Sequence, residues 1–154
     1  MSHMALATQN WLATVLAIAM AGLSNDAARP AADKDDGDVR ATIQQYFNGH
    51  ATGDPSEMRK PFLPSAHIEG IRDGSFVSWT LDEYCARFSG RPAADESSRR
   101  RSIDVVEISG DAASVKATLI HGPTVFTDFL LLVKVDGAWK IANKVYTSHP
   151  VSQR

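Results

Sequence analysis

Two long apolar runs joined at Asp136-Gly137 place the strongest constraint on the fold of this chain. The stretch VFTDFLLLVKVDGAWKIANKV, residues 125–145, has the composition of two β-strands with a turn between them. An Asp-Gly pair between such runs is the strongest short-range signal of a two-residue β-hairpin. Asp128 interrupts the first run and Asn143 the second, so the predicted hairpin carries polar side chains where buried strands are expected.

A two-residue turn also predicts which side chains of this hairpin share a face. Val135 pairs with Ala138, and the alternation of side chains then assigns every other residue to the same face. The face with the carboxylate holds Asp128, Leu130, Leu132, Trp139, Ile141, Asn143 and Val145. The opposite face holds Thr127, Phe129, Leu131, Val133, Ala142, Lys144 and Tyr146. Because that face is also too apolar to remain in water, the pattern predicts a homodimer that covers it.

Helical periodicity replaces strand alternation in the first half of the chain. Residues 38–54, DVRATIQQYFNGHATGD, place Tyr46 and His50 on one side of an amphipathic helix. Asp54 followed by proline is typical of the start of a second, short helix. Thr80 begins a capping box, which predicts a third helix after it. The sequence therefore predicts three helices, all before the long strands.

The remaining strand patterns complete the predicted fold. A turn at 72–74 divides residues 66–80 into a hairpin, and Gly110-Asp111 divides residues 102–122 into another. Helices followed by a four-strand meander are typical of an α+β domain with one curved, mainly antiparallel sheet. A chain of 154 residues has room for one such domain with a real core.

Composition excludes some partners and says little about others. The formal net charge of -2 gives no electrostatic attraction to nucleic acid, and none is expected as a partner. The basic run Arg99–Arg101 lies among serines, where a solvated loop is the ordinary interpretation. Cys85 is the only cysteine, so an internal disulfide is excluded.

The first 35 residues are interpreted as a segment outside the main domain. The opening MSHM resembles a vector remnant, and residues 24–36 resemble a polar linker. The apolar residues 12–23 fit either a signal peptide or an accessory helix, and they are too short to span a bilayer. The composition favours export to the periplasm over a cytoplasmic location. The main domain is predicted over residues 36–149, and residues 150–154 form a tail.

Three motifs together resemble one known superfamily. YFNGHATGD, TLDEYCARFSGRP and TDFLLLVKVDGAWKIANKV lie within residues 36–149. They are similar to the nuclear-transport-factor-2-like proteins, in the branch described as "putative lumazine-binding". The resemblance implies a cystatin-like cone in which the helices and the curved sheet enclose a pocket, usually in a homodimer. It implies no single activity, because the superfamily contains ketosteroid isomerases, cyclases, dehydratases, epoxide hydrolases and non-catalytic binders.

In a cone of this kind, polar side chains on apolar faces should line the pocket. Those that meet this criterion are Tyr46, His50, His67, Trp79, Tyr84, Asp128 and Asn143. Burial disfavours the charged form of a carboxylate and suits it for proton transfer, so Asp128 is the candidate catalytic residue. A tyrosine would hydrogen-bond a carbonyl or developing enolate, and His50 or His67 would shuttle the proton. A structural network that fixes the strand register explains the same residues equally well.

Three functional hypotheses follow. The first is a small-molecule-binding domain that accepts an apolar or heterocyclic ligand, and the second is an isomerase or dehydratase with Asp128 as acid or base. The third is an interaction domain whose cavity is filled, which a pocket below about 300 Å³ would favour. His67, Glu69 and His121 lack the spacing of a metal site, and no motif indicates a cofactor, so neither a metal nor a cofactor is predicted.

Overall fold

A curled six-stranded sheet packs against three helices in the structure of this protein. It is a computed structural model that describes residues 28–72 and 74–152. The helices are α1 (Ala28–Thr52), α2 (Pro55–Arg59) and α3 (Leu81–Cys85), and a 3-10 turn spans Glu96–Ser98. The strands are β1 (Phe62–Arg72), β2 (Ser75–Thr80), β3 (Arg100–Ser109), β4 (Ala112–His121), β5 (Thr124–Val135) and β6 (Ala138–Pro150). The predicted MSHM remnant and the apolar residues 12–23 lie outside the described residues.

The sheet has the order β2-β1-β6-β5-β4-β3. All neighbouring strands are antiparallel except β1 and β6, which run parallel. The α+β class with a mainly antiparallel sheet is therefore confirmed. No helix among residues 28–72 and 74–152 is long and apolar enough to cross a membrane.

Helix α1 supplies one side of the core and begins earlier than the sequence pattern indicates. Its first residue is Ala28, within the segment interpreted as a linker. The carboxylate of Asp35 accepts hydrogen bonds from Lys134 Nζ at 2.6 Å and Trp139 Nε1 at 3.2 Å, which joins the start of the helix to the β5–β6 turn. At its other end Gly53 has φ of +64°, and a Cβ there would lie 2.0 Å from the Arg91 carbonyl oxygen. Only glycine fits that helix end.

Capping residues determine where the two short helices begin. The Asp54 side chain accepts a hydrogen bond from Ser56 N at 2.7 Å, as an N-cap residue does. Thr80 and Glu83 form the complete capping box at the start of α3. The core lies between α1 and the inner face of the sheet; its fully buried members include Val39, Ile43, Ile68, Val115, Leu130 and Ile141.

A β-bulge in β6 overturns the predicted register of the terminal hairpin. Val135 pairs with Ala138 and Leu132 with Ile141, as predicted, but Leu131 then pairs with Asn143. Ala142 is the extra residue, and beyond it every side chain of β6 changes face. The prediction is therefore wrong from Asn143 onwards. Lys144 and Tyr146, rather than Asn143 and Val145, share the inner face with the carboxylate.

Candidate functional site

A cavity of about 570 Å³ opens between the helices and the inner face of the sheet. Five of the seven predicted pocket residues line it: Tyr46, His50, Trp79, Tyr84 and Asp128. The other two predicted pocket residues, His67 and Asn143, do not line this cavity. His67 is exposed on the outer face of β1, and Asn143 lies beside it on β6, where its amide donates to Glu69 Oε2 at 3.2 Å. The volume leaves room for a small organic molecule, which disfavours a filled cavity.

Asp128 lies at the floor of this cavity and is 1% exposed. It projects from the middle of β5, and its Oδ2 accepts two hydrogen bonds. The Tyr46 hydroxyl donates one at 2.5 Å, and Lys144 Nζ donates the other at 3.2 Å. Oδ1 has no hydrogen-bond partner among the described residues. One oxygen is thus anchored, and the other remains a buried acceptor in need of a donor.

Lys144 is the counter-charge of this carboxylate and was not predicted as a site residue. Its ammonium group also donates to the hydroxyls of Tyr46 at 2.8 Å and Tyr84 at 3.5 Å. The aromatic rings of Tyr46, Tyr84 and Tyr146 each lie 5.2 Å from Nζ. Burial is the largest single influence and works against the charged form, but the charge of Asp128, the Tyr84 phenol and the hydrogen bonds to both together outweigh it and raise the pKa of Lys144. The floor therefore holds an ion pair surrounded by phenol groups.

The neighbouring phenols and imidazole are neutral. Burial, followed by the charge of Asp128, raises the pKa of Tyr46 well above its ordinary value, and burial also raises the pKa of Tyr84. Burial and the positive charge of Lys144 lower the pKa of His50 well below its ordinary value. Near neutral pH, these three side chains therefore act as hydrogen-bonding groups without net charge.

The assignment of hydrogen-bond donors and acceptors at the cavity floor leaves one hydroxyl proton available to a ligand. Tyr46 has a single hydroxyl proton and gives it to Asp128, so its oxygen accepts from His50 Nε2 at 2.9 Å. This assigns the proton of His50 to Nε2. The Tyr84 oxygen lies 3.2 Å from the same Nε2 and accepts from Lys144. With the protons assigned in this way, the hydroxyl proton of Tyr84 can point toward an oxygen atom in the cavity.

Aromatic rings form the walls above this floor. Trp79 lies nearly parallel to Tyr146, with ring centroids 6.2 Å apart and planes at 11°. It is also near-parallel to Tyr84, at 6.5 Å and 21°. Phe88 and Phe126 complete the apolar lining. Flat walls of this kind suit a planar ligand.

Arginine side chains and a second histidine surround the upper part of the cavity. Arg72, Arg87 and Arg99 line it. His121 lines it as well, 5.2 Å from His50 between ring centroids, and its Nε2 has no partner among the described residues. Burial and the nearby arginines lower the pKa of His121 to about 4, so this ring is also neutral near pH 7.

The sequence interpretation missed several of these residues, and only some left a signal. The Arg99–Arg101 run is not a solvated loop: Arg99 lines the cavity, and Arg101 lies in β3 with two hydrogen bonds to Glu96, at 2.6 and 2.9 Å. Lys144 was assigned to the wrong face because of the bulge. Residues 28–72 and 74–152 contain no cluster of three His, Cys, Asp or Glu side chains that could hold a metal ion.

The curled sheet, the three helices and the cavity between them define a cone of the nuclear-transport-factor-2-like, cystatin-like type. The family model described as "Putative lumazine-binding" matches residues 34–147, and the chain belongs to this family. The description of the family as ligand-binding agrees with the cavity.

Three relatives illustrate the range of similarity. The aldolase FrzH of Cladobotryum sp is 29% identical over 114 residues, which are 73% of this chain and 90% of the relative. A protein of unknown function from Silicibacter pomeroyi has a TM-score of 0.70 at 23% identity, over 77% of this chain and 98% of its own. One from Methylobacillus flagellatus, also of unknown function, has a TM-score of 0.67 at 27% identity, over 75% and 93%.

Proposed function

We propose that this protein is an enzyme that transfers a proton at a carbon atom next to a carbonyl group of a small molecule bound in the cavity. One observation carries the proposal. Asp128 Oδ1 is a buried carboxylate oxygen without a hydrogen-bond donor in the part of the chain that the structure describes, and its residue lines a cavity that also offers the Lys144 charge and the Tyr84 hydroxyl. A purely structural carboxylate would be expected to have both oxygens satisfied.

The proposed mechanism uses three side chains. Asp128 Oδ1 takes a proton from the carbon atom, and the electron pair of the broken C–H bond moves into the carbonyl group to form an enolate. The Tyr84 hydroxyl donates a hydrogen bond to the enolate oxygen, and the positive charge of Lys144 stabilises the negative charge. Return of the proton to another carbon completes an isomerisation, and loss of a hydroxide group, protonated as it leaves, completes a dehydration.

The similarity to an aldolase is compatible with this chemistry. An aldol reaction can begin with the same proton removal, after which the enolate carbon attacks a second carbonyl group. The other route to an aldol reaction is a Schiff base on a neutral lysine amine. The raised pKa of Lys144 disfavours that route because it keeps the amine protonated. Borohydride reduction in the presence of a ketone should therefore leave the protein mass unchanged.

Deuterium exchange tests the proposal directly. The protein is incubated in D2O with acetophenone, indanone or tetralone, and NMR measures loss of the proton next to the carbonyl group. Positioned acid–base catalysis contributes about 10² to 10⁴-fold, so Asp128→Asn should slow the exchange by a factor in that range. Asp136→Asn is the matched control: it is the same change in the same hairpin, at an exposed turn position with φ of 50°, which Asn tolerates.

Two results would contradict the proposal. The first is an exchange rate in Asp128→Asn equal to that of the Asp136→Asn control. The second is no exchange above the buffer rate with any of the three ketones. If Asp128→Asn keeps affinity for a ligand and the wild-type protein never exchanges a proton, the cavity belongs to a binding protein. The near-parallel rings of Trp79 and Tyr146 favour a planar apolar or heterocyclic ligand in either case.

We also propose that the protein is a homodimer through the outer face of the sheet. Phe129 and Val145 are paired on that face and are 50% and 46% exposed, and Leu131 beside them is 56% exposed. An apolar surface of this kind on neighbouring strands is typical of an interface. Phe129→Glu should convert the dimer to a monomer in light scattering, whereas Gln44→Glu on the exposed side of α1 should not. A wild-type monomer would refute this proposal.

A further inference from the structure

The entrance of the cavity has a charge opposite to that of the protein as a whole. The chain carries a formal net charge of -2. The cavity lining nevertheless contains three arginines, Arg72, Arg87 and Arg99, in addition to Lys144, against the single carboxylate of Asp128. The three arginines come from separate segments of the chain: the end of β1, the residues after α3 and the residues before β3. Positive charge concentrated in a cleft attracts anionic ligands.

Arg87 is held in place by an aromatic wall and not by a carboxylate. Its guanidinium carbon lies 4.6 Å from the centroid of the Trp79 ring. No Asp or Glu among the described residues forms an ion pair with it. Stacking on an aromatic face leaves the N–H groups at the edge of a guanidinium available to an acceptor. Arg87 can therefore bind an anionic group next to the wall that a planar ligand would contact.

Arg99 is positioned by Asp95. Its Nε donates to Asp95 Oδ1 at 3.0 Å, and a terminal nitrogen forms an ion pair with the same oxygen at 2.9 Å. Asp95 offsets part of the charge and fixes the direction of the guanidinium group. A guanidinium group has five N–H donors, so others remain for a ligand.

The two ends of the cavity orient an anionic ligand. At the buried floor the charges of Asp128 and Lys144 offset each other, whereas exposed Arg87 and half-buried Arg99 add positive charge to the rest of the lining. A ligand with one negatively charged group would therefore place that group at the entrance and its uncharged part toward Tyr84. We propose that the substrate is a planar aromatic or heteroaromatic carboxylic acid whose carboxylate binds Arg87 and Arg99 and whose ring lies along Trp79. This inference rests on the proposed function, because it takes the cavity to be the substrate site.

Calorimetric titration with naphthoate and with methyl naphthoate tests this inference. The two compounds share the ring and nearly the same shape, but only naphthoate is charged. One hydrogen-bonded ion pair corresponds to about tenfold in affinity, so the wild-type protein should bind naphthoate at least about tenfold more tightly than the ester. Arg87→Gln and Arg99→Gln should each weaken naphthoate binding by about tenfold and leave the ester within about twofold. The ester affinity also reports whether each variant is folded.

Arg40→Gln is the matched control, since it removes the same charge from the exposed side of α1. It should change neither affinity. Equal binding of acid and ester, no binding of either, or an equal effect of Arg40→Gln would overturn the inference. Displacement of naphthoate by inorganic phosphate at similar concentration would also overturn it, because the arginines would then form a phosphate site.

Failure of this inference can be distinguished from failure of the proposed function. Asp128→Asn should keep the preference for naphthoate over its ester, because the carboxylate binds at the other end of the cavity. If the preference is present but no ketone exchanges its proton, the proton-transfer proposal fails and the ligand class stands. If proton exchange depends on Asp128 but acid and ester bind equally, the ligand class fails and the proton-transfer proposal stands.

Discussion

Replacing one member of the Lys144–Asp128 pair should destabilise the fold much more than replacing both. The two side chains are 6% and 1% exposed, and Nζ lies 3.2 Å from Oδ2. At that separation an effective dielectric constant of about 20 gives an attraction of about 5 kcal/mol. Desolvation of each ion costs several kcal/mol, so the two effects nearly cancel for the intact pair. They do not cancel when one partner is removed.

Lys144→Met leaves the Asp128 carboxylate with the Tyr46 hydroxyl as its only donor among the described residues. Loss of one member of a buried ion pair costs about 3–5 kcal/mol, which is a large part of the stability of a typical domain. Asp128→Asn leaves the buried ammonium group without its counter-charge and should cost a similar amount. The double variant has neither of these two buried charges, and its amide can still accept the Tyr46 proton. It should therefore lose only about 1–2 kcal/mol, less than either single variant.

Urea unfolding near neutral pH measures these differences. Trp139 is 3% exposed and should report the loss of core packing by fluorescence, with far-ultraviolet circular dichroism as the second probe. All variants are compared at one protein concentration, because dimer formation makes stability depend on concentration. Lys34→Met is the control, since it removes the same side-chain type from the exposed pair with Asp38 and should change stability little. The coupling between the two buried charges would be refuted if the double variant lost as much unfolding free energy as the two single variants together. It would also be refuted if the single variants were as stable as the Lys34→Met control.

Two further predictions concern packing and pH. A Cβ at Gly49 would lie 2.6 Å from Met58 Cα, whereas one at Gly37 in the same helix has nothing within 4 Å. Urea unfolding should therefore show that Gly49→Ala lowers the free energy of unfolding by about 1–3 kcal/mol and that Gly37→Ala raises it by up to about 1 kcal/mol. Equal effects of the two substitutions would contradict the close packing of Gly49 on Met58. The pKa of His121 falls to about 4 through burial and the charge of Arg101, so the unfolded chain binds more protons and wild-type stability falls as pH drops from about 6.5 toward 4. After allowance for partial exposure, His121→Gln should reduce that loss of stability by about 1 kcal/mol at pH 5. Above pH 8 the pH dependence of the unfolding free energy should be the same in the variant and the wild type. Parallel curves of stability against pH over the whole range would contradict this prediction.

The features that the sequence predicted correctly depend on local interactions. The turn at Asp136-Gly137, the N-cap at Asp54 and the capping box at Thr80 are each determined by residues within one turn of the chain. The pocket positions of Tyr46 and Tyr84 follow from helical periodicity on α1 and α3. The arginines at the entrance were missed because two of them lie outside regular elements, and tertiary packing alone brings their side chains to the cavity.

The error at Asn143 has a different origin, and a physical argument could have corrected it. Strand alternation cannot reveal one extra residue, and a single bulge exchanges the two faces of everything that follows. A buried carboxylate, however, requires a counter-charge or several hydrogen-bond donors. On β6 the only lysines are Lys140 and Lys144, and Lys140 donates to the Lys60 carbonyl oxygen at 2.7 Å. If Asp128 takes its counter-charge from β6, the contact of Lys140 leaves Lys144 for that role, and Lys144 reaches the inner face only if β6 contains a bulge before it. Charge balance thus predicts the bulge that alternation conceals.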